Sequence, residues 1–563
     1  MRPAQNMRLA VLVLIAALAG SVCAQSSQLG NVKFETSGSP QAQAHFLRGL
    51  AALHSFWYEE ALEAFRESTK EDPDFMMGYW GEAMAHNHPL WSEQDLPAAR
   101  DVIAKMKETP KLTRRERAYL NAVKLLYGEG DKRTRDAGYS AAMEKVYRDY
   151  PDDLDAAAFY SLSLLGMTNF SDKGYRLQAR AGAIALDVYQ KNPNHPGAAH
   201  YIIHAFDDPD HAILALPAAR RYADIAPEAH HARHMPAHIF LQLGMWPEAA
   251  ASNESAWQAS DGWMKRKGLS TSVRDYHSLH WLLYVYLQQG RYRKAEELLT
   301  LMQKTMAETT YENKLRPGYY ENNYANMAAA FVVETERWEL APKLFSASSA
   351  VAKVEPPATN GHGGHGGTPA AAGSTVASSN GAVTVRASNR SRTLPLFVNG
   401  LASAINGSAS TEESLAGLKA IGQGEGPTPI LDIRELEIAA VAASTRKDHT
   451  QAIDLMKKAT ALEESMGPPS GPPGIIKPSH ELFGEILLRA GKPQEAAEQF
   501  KAALLRQPNR ARSLLGAARA AAQSGDQTNA TSFYTRLLSQ WKQADEGLPE
   551  LREAQDYVKK ATP

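Results

Sequence analysis

Residues 46–75, FLRGLAALHSFWYEEALEAFRESTKEDPDF, carry a spacing of small and aromatic side chains that returns near the C-terminus. The spaced positions are Gly49, Tyr58, Ala61, Phe65, Ser68 and Pro73. In residues 480–509, HELFGEILLRAGKPQEAAEQFKAALLRQPN, they are Gly484, Gly491, Ala496, Phe500, Ala503 and Pro508. Small residues let two helices approach closely and aromatic rings fill the space beside them, so the recurrence predicts repeated helix pairs.

The spacing resembles that of the tetratricopeptide repeat family, whose 34-residue unit is a pair of antiparallel helices, A and B. A further unit, with Gly525, Ala530 and Tyr534, follows 34 residues after the second match. The resemblance implies an all-α solenoid of helical hairpins. Its register places units starting near residues 42, 76, 196, 230, 276, 322, 433, 477 and 511. Residues 110–195 have a helical pattern but match the repeat poorly, so units there stay unassigned.

Changes in composition divide the predicted solenoid into two blocks. We expect an N-terminal extension at 25–41, an N-terminal block at 42–350 and a C-terminal block at 396–545, followed by a tail at 546–563. Residues 351–395 are rich in Gly, Ala and Ser and lack helical periodicity, which predicts a flexible linker between the blocks. A second break at 466–478, MGPPSGPPGIIKP, predicts a proline-rich connection.

The N-terminus has the features of a secretory signal. Arg2 and Arg8 precede an apolar run and a small-residue cleavage site, so we expect residues 1–24 to be a signal peptide and the mature protein to be periplasmic or secreted. A lipid anchor on Cys23 is the alternative. Because Cys23 is the only cysteine, the mature chain would have no disulfide and no thiolate metal ligand.

Charge and hydropathy exclude other classes of partner. The formal net charge is -1, which gives no electrostatic reason to expect binding to nucleic acid or to an anionic membrane. After the signal, no apolar run is long enough for a membrane span. The sequence therefore predicts a protein that does not bind nucleic acid and that has no membrane span after the signal peptide.

Histidines are concentrated in three consecutive predicted units. Ten of the 18 histidines lie between His195 and His280. In the repeat family the concave groove is lined by helix A positions 2, 5, 9, 12 and 13, and seven histidines occupy such positions. They are His200, His204, His231, His234, His238, His277 and His280. Pro236 lies among them and predicts that its helix starts or kinks there, because proline has no amide to donate.

Seven imidazoles on one face favour a transition-metal site, with copper, zinc or iron as the candidate ion. Clustered buried imidazoles are costly unless each ring nitrogen finds a partner, and a metal ion satisfies several at once. An anionic or organic ligand, or a purely structural hydrogen-bond network, is the alternative. Asp207, Asp208 and Tyr284 are the candidate catalytic residues, and Trp80, His88, Asn323 and Asn326 are further groove positions.

Two functions follow from these patterns. The first is a metal-binding exported repeat protein, with the sequence leaving open whether it is an oxidative or hydrolytic enzyme. The second is an interaction scaffold without metal, gripping a protein or peptide partner through the C-terminal block, where Glu481 and Glu485 occupy groove positions. His195, His211 and His230 fall outside the groove register and are expected to be structural.

Overall fold

The computed structural model describes residues 26–168, 174–311, 315–345 and 390–561. The predicted signal peptide and residues 351–389 of the predicted linker lie outside these ranges. The described chain is almost entirely α-helical and divides into two compact units. The first unit extends to Leu282 and includes residues 467–472 and 506–508. The second unit comprises the remaining residues from Leu283 onward.

Helices of the first unit follow one another in antiparallel pairs. They are α1 (Pro40–His54), α2 (Tyr58–Glu71), α3 (Met76–Ala85), α4 (Leu96–Ile103), α5 (Arg114–Leu126), α6 (Lys132–Asp149), α7 (Leu154–Gly166), α8 (Arg176–Lys191), α9 (Pro196–Ala205), α10 (Ala212–Ile225), α11 (His230–His234), α12 (Pro236–Gln242) and α13 (Trp246–Lys267). Helix α14 (Tyr276–Gln288) contains the boundary between the units.

The second unit continues the same helical pattern. Its helices are α15 (Tyr292–Glu308), α16 (Tyr319–Thr335), α17 (Arg390–Ile405), α18 (Ser410–Glu425), α19 (Pro429–Thr445), α20 (His449–Ser465), α21 (Ser479–Arg489), α22 (Pro493–Arg506), α23 (Ala511–Gln523), α24 (Gln527–Gln540) and α25 (Pro549–Ala561).

Short 3-10 helices occupy Ser26–Leu29, Pro89–Trp91, Thr271–Val273 and Trp338–Leu340. The all-α solenoid prediction is confirmed.

The predicted repeat register matches the helices. Each predicted unit start falls within the first helix of a pair, except 477, which precedes α21 by two residues. Residues 110–195, left unassigned from sequence, form two further pairs, α5 with α6 and α7 with α8. One reason for the weak repeat pattern is Ser161 of α7, which occupies a position where a glycine would be expected. Ser161 is fully buried and donates its hydroxyl to the carbonyl of Ala181.

Glycine and phenylalanine lock neighbouring helices together in both units. A Cβ atom on Gly49 or Gly81 would lie 2.8 or 2.3 Å from the ring of Phe65. In the second unit, Gly484 and Gly516 have the same relation to Phe500, at 2.7 and 2.2 Å. Each fully buried ring therefore fills the space that two glycines leave, which is the packing that the sequence spacing predicted.

Three boundaries differ from the sequence prediction. The division between compact units falls inside α14 rather than at the predicted linker. Residues 390–395, assigned to that linker, form the start of α17. The predicted tail contains α25, because Ala554 is buried in an apolar cluster with Tyr534. Periodicity in such a short amphipathic segment resembles that of a solvated helix, so the packing of α25 could not be predicted from it.

The glycine contacts predict the effect of adding one methyl group. Gly81→Ala is expected to lower the free energy of unfolding by about 1–3 kcal/mol, because the Phe65 ring has no free space to move into. Gly138→Ala, in α6 of the same unit, is the matched control, since its nearest neighbour beyond its own helix is the Leu125 Cβ atom at 3.9 Å. The control should be neutral or stabilising by up to ~1 kcal/mol. Urea unfolding followed by circular dichroism compares the two; equal shifts would contradict this packing.

Candidate metal site

Six of the seven predicted ligand histidines form two groups of three in the first unit. The first triad is His200, His204 and His231, and the second triad is His234, His238 and His277. Within each triad, one ring nitrogen of every residue lies within 4.8 Å of those of the other two. Helices α9, α11, α12 and α14 supply these residues, so the predicted convergence of three neighbouring units is observed.

Pro236 interrupts the helix that carries three of these rings, as its missing amide predicted. Helix α11 ends at His234 and α12 begins at Pro236, although Met235 between them keeps right-handed helical dihedral angles. His234 thus lies in the last turn of α11 and His238 in the first turns of α12. The interruption leaves both rings on the same face, where their Nε2 atoms are 3.2 Å apart.

The hydrogen bonds of His234 define its tautomer. Its Nδ1 atom lies 2.7 Å from Oδ1 of Asn253, while Nδ2 of Asn253 donates to the carbonyl of Ala249 at 2.9 Å. Turning the amide over would place two oxygens together, so the orientation of Asn253 is determined by its own helix. Asn253 therefore presents an acceptor, and Nδ1 of His234 must carry the proton.

His238 is held in the same way by a carboxylate. Its Nδ1 atom donates to Oδ2 of Asp207 at 2.6 Å. Asp207 also accepts from Nε2 of Gln242 at 3.1 Å and from the hydroxyl of Ser470 at 3.0 Å. Burial opposes ionisation of Asp207, but the charge and hydrogen bond of His238 and the two other bonds outweigh it and lower its pKa. Asp207 is an ionised outer partner that orients His238.

The second triad consequently has two bare nitrogens facing each other. With both Nδ1 atoms protonated, the neutral rings of His234 and His238 point lone pairs at one another across 3.2 Å. A cation between them, either a proton or a metal ion, removes this repulsion. Two imidazole nitrogens on one tetrahedral ion with bonds of about 2.05 Å would lie about 3.3 Å apart, close to the observed separation.

Burial disfavours the protonated forms of His234 and His277. It lowers the pKa of His234 to about 4, with the adjacent His238 adding to the effect. Burial also lowers the pKa of His277 well below its usual value, and His234 reinforces that shift. Trp281 contacts both of the paired rings, with centroids 4.2 Å from His238 and 4.9 Å from His234. His234 and His277 are thus neutral nitrogen donors, and Trp281 forms an apolar wall beside the paired rings.

The proline-rich stretch at 466–478 has a role that the sequence did not reveal. Its residues 467–472 belong to the first unit, where they contact residues that adjoin the second triad. Gln242 donates to the carbonyl of Pro469 at 3.0 Å, and Ser470 donates to Asp207. A Cβ atom on Gly471 would lie 2.5 Å from Trp281. Because these contacts join residues more than 180 positions apart, no local pattern could predict them.

The first triad has a comparable arrangement. Nδ1 of His200 donates to the backbone carbonyl of His54 at 2.7 Å, which leaves its Nε2 atom bare and 3.0 Å from Nε2 of His204. Burial lowers the pKa of His200 to about 3 and those of His204 and His231 well below the usual value. His204 can carry its proton on Nε2 and donate to His200, so this pair can be satisfied without a cation.

A third group, His54, Asp155 and His195, was missed by the sequence analysis. His54 Nε2 lies 2.8 Å from Oδ1 of Asp155, and His195 Nε2 lies 3.3 Å from the same oxygen. The remaining nitrogens accept from the Tyr201 hydroxyl and from the Ala198 amide. Burial opposes ionisation of Asp155, but the hydrogen bonds of His195 and His54 lower its pKa. Both nitrogens of His54 and Nδ1 of His195 thus have hydrogen-bond partners, whereas Nε2 of His195 and Oδ2 of Asp155 have none among the described residues.

Three predicted site residues lie outside both triads. Asp208 accepts from Nδ1 of His211 at 2.8 Å and from the amides of residues 210 and 211, so it shapes the turn before α10. His280 lies one helical turn beyond His277 and belongs to neither triad. Tyr284 lies in the second unit, where Nη1 of Arg510 donates to its hydroxyl at 2.9 Å. Asp208 and Tyr284 therefore have protein partners outside both triads, and their catalytic role stays a prediction.

The four further groove positions also have structural partners. Trp80 is fully buried among aromatic rings, including Tyr119 and Phe159 at centroid distances of 5.4 Å, so it is a core residue and the groove assignment is wrong. The other three bond within their own segments. His88 contacts Glu93 across the short hairpin of β1 (Asn87–His88) and β2 (Glu93–Gln94), and Asn323 and Asn326 donate to the carbonyls of residues 319 and 322.

Buried neutral histidines predict a steep loss of stability in acid. The pKa is lowered in the folded state for His54, His200, His204, His231, His234 and His277. Their unfolded pKa is near 6.5, so the stabilisation is fully present above that pH and is lost as the pH falls below it, where the unfolded chain binds more protons. Each group contributes up to about 1.4 kcal/mol per pH unit.

Urea unfolding of metal-free protein at pH 7.5, 6.5 and 5.5 measures this effect. The expected midpoint falls slightly between the first two values and sharply between pH 6.5 and 5.5. A midpoint that stays constant down to pH 5.5 would show that these imidazoles are solvated or already charged in the folded protein, contrary to the burial described above.

Comparisons with known proteins agree with the helical-hairpin architecture. Residues 42–75 and 482–547 match family profiles described as tetratricopeptide repeat. No curated protein sequence matches the chain. Similar solved structures include a human IFIT1 dimer with m7Gppp-AAAA, at 12% identity and a TM-score of 0.36, covering 91% of this chain and 92% of its own. Yeast Tom70 has 9% identity and a TM-score of 0.23, covering 92% and 88%.

These TM-scores are too low to transfer a ligand or partner from either protein. None of the described helices combines the length and apolarity that a membrane crossing requires. The two profile matches, at opposite ends of the described chain, coincide with the glycine and phenylalanine contacts at Phe65 and Phe500. Repeats of this kind support protein-interaction scaffolds. These two stretches of the chain are therefore identified as tetratricopeptide repeats.

Proposed function

We propose that this protein is an exported tetratricopeptide repeat protein that binds a transition-metal ion through His234, His238 and His277. One observation carries the proposal: the Nε2 atoms of His234 and His238 face each other at 3.2 Å while both Nδ1 atoms donate to fixed acceptors. This arrangement needs a positive charge between the rings. Export rests on the N-terminal sequence pattern and is tested separately by the N-terminal residue of the mature protein.

The donor set indicates which class of ion fits. Neutral imidazole nitrogens suit copper, zinc and iron, whereas magnesium and calcium prefer oxygen ligands. Ligating histidines commonly donate their other ring nitrogen to a carboxylate, amide or carbonyl, which orients the ring and raises its basicity. Asp207 has this relation to His238, and Asn253 has it to His234. These outer partners favour a metal site over an accidental cluster of polar residues.

Three protein ligands leave room for chemistry. Catalytic zinc sites typically keep one coordination position for water or substrate, whereas structural sites have four protein ligands. A three-histidine site therefore fits a metal-dependent enzyme of the oxidative or hydrolytic kind. In that case Asp207 acts through His238 as a positioning residue, because its carboxylate already accepts from His238, Gln242 and Ser470.

The alternative cation is a proton on His238, stabilised by the Asp207 carboxylate at 2.6 Å. In that arrangement His238 donates Nε2–H to His234, and the second triad is a structural network without metal. The two alternatives differ in metal content and in the effect of removing Nε2 alone, and the experiment below distinguishes them.

The scaffold hypothesis for the C-terminal block receives less support at its predicted groove positions. Glu481 accepts from Nε of Arg510 at 2.7 Å and from the hydroxyl of Ser513 at 2.6 Å. Both Glu481 and Arg510 are fully buried, and Arg510 also pairs with Glu334 at 2.6 Å. A peptide partner could not reach Glu481 without breaking this buried charge network, so partner binding would use another surface of the repeats.

Metal content of the full chain, purified without an affinity tag, tests the proposal. All proteins carry His362→Ala and His365→Ala, which removes the histidines of the glycine-rich tract. The metal-free protein is loaded in turn with Zn²⁺, Cu²⁺ and Fe²⁺, desalted and measured by inductively coupled plasma mass spectrometry. We expect stoichiometric retention of at least one of these ions.

His238→Asn is the sharpest variant, because its amide nitrogen can still donate to Asp207 while the Nε2 ligand is lost. It should lower bound metal by one equivalent per chain. His211→Asn is the matched control, since it keeps the donor to Asp208 at a histidine outside both triads. Protein that retains no metal, or a His238→Asn variant that loads like the control, would support the proton instead.

A further inference from the structure

The first triad contains a buried nitrogen that no protein group satisfies. Nε2 of His231 has no hydrogen-bond partner among the described residues, and the side chain is 8% exposed. Its ring faces His200 at a centroid distance of 5.1 Å and belongs to the same ligand group. Burying an imidazole nitrogen without a partner costs free energy, so its position within the triad points to a ligand.

The other two rings of the first triad each have a nitrogen within 4.8 Å of a ring nitrogen of His231. His200 is oriented by the carbonyl of His54, which places its bare Nε2 atom on the side of His204. The 3.0 Å separation of these two Nε2 atoms can be bridged by a proton, but a proton shared between them leaves His231 unsatisfied. A metal ion satisfies all three nitrogens together.

The two triads adjoin directly. His231 and His234 lie three residues apart on α11, with ring centroids separated by 5.8 Å. His204 and His238 approach from α9 and α12, also at 5.8 Å. Ligands of one triad are therefore in van der Waals range of ligands of the other, and ions held by the two triads would be close neighbours.

We propose that His200, His204 and His231 bind a second transition-metal ion, making the two triads one dinuclear centre with three histidines for each ion. This inference rests on the proposed function, because it assumes that the second triad is a metal site. It differs from the proposed function in two ways. It is based on the unsatisfied His231 nitrogen, and it predicts two ions per chain. The third group, His54 with Asp155 and His195, differs because both ring nitrogens of His54 already have hydrogen-bond partners.

Stoichiometry separates the failure of this inference from the failure of the proposed function. The same chain, with His362 and His365 replaced by alanine, is loaded with Zn²⁺ or Cu²⁺ and analysed by mass spectrometry. We expect two ions per chain, and one in His231→Asn. If the parent chain binds two ions and the His231→Asn variant also binds two, the inference is overturned. One ion, lost in His238→Asn but kept in His231→Asn, overturns it and leaves the proposed function intact; no bound ion overturns both.

Electron paramagnetic resonance of the copper-loaded protein tests whether the ions are neighbours. Two adjacent Cu²⁺ ions should give a broadened or spin-coupled signal with fewer than two isolated spins per chain. His231→Asn should restore one isolated spin, and His211→Asn should leave the wild-type spectrum unchanged. Two full, unbroadened spins in the wild type would overturn the dinuclear centre. If His231→Asn fails to fold by circular dichroism, His204→Asn removes a ligand of the same ion and gives the same comparison.

Discussion

The contact between Nε2 of His234 and Nε2 of His238 is the constraint on which this account of the protein depends. Each ring is fixed from behind, by Asn253 and by the ionised Asp207, so neither can rotate its proton into the gap without losing a buried hydrogen bond. A compact core would ordinarily avoid such an arrangement. A proton or a metal ion between the two nitrogens removes their repulsion, and the proposal of a metal site rests on this contact.

The repeat architecture explains how distant residues reach this position. Close helix packing, set by glycines against Phe65, brings the first helices of successive pairs side by side. Residues at equivalent positions of those helices then converge, which is why the ligand histidines come from α9, α11, α12 and α14. The site thus depends on the repeat architecture, because histidines occupy the equivalent helix positions of neighbouring units.

The six triad histidines could be predicted from the sequence because the helical and repeat periodicities that place them are local patterns. Spacing on one helix face identified the six triad members, and repeat register placed their helices together. It could not predict that His54, Asp155 and His195 lie together as a third group, because Asp155 lies in the segment whose repeats depart from the family pattern. Nor could it place the loop carrying Ser470 against Asp207, since that contact depends on tertiary packing alone. Trp80 was misassigned because core and groove aromatics share the same helical spacing.

An anomalous-scattering map of the metal-loaded protein tests the central claim most directly. X-ray data collected on either side of the absorption edge of the bound ion should show a peak about 2.1 Å from Nε2 of both His234 and His238, with His277 as the third ligand. Crystals shown to contain stoichiometric metal that have peaks only elsewhere on the chain, and none between these two rings, would contradict the account.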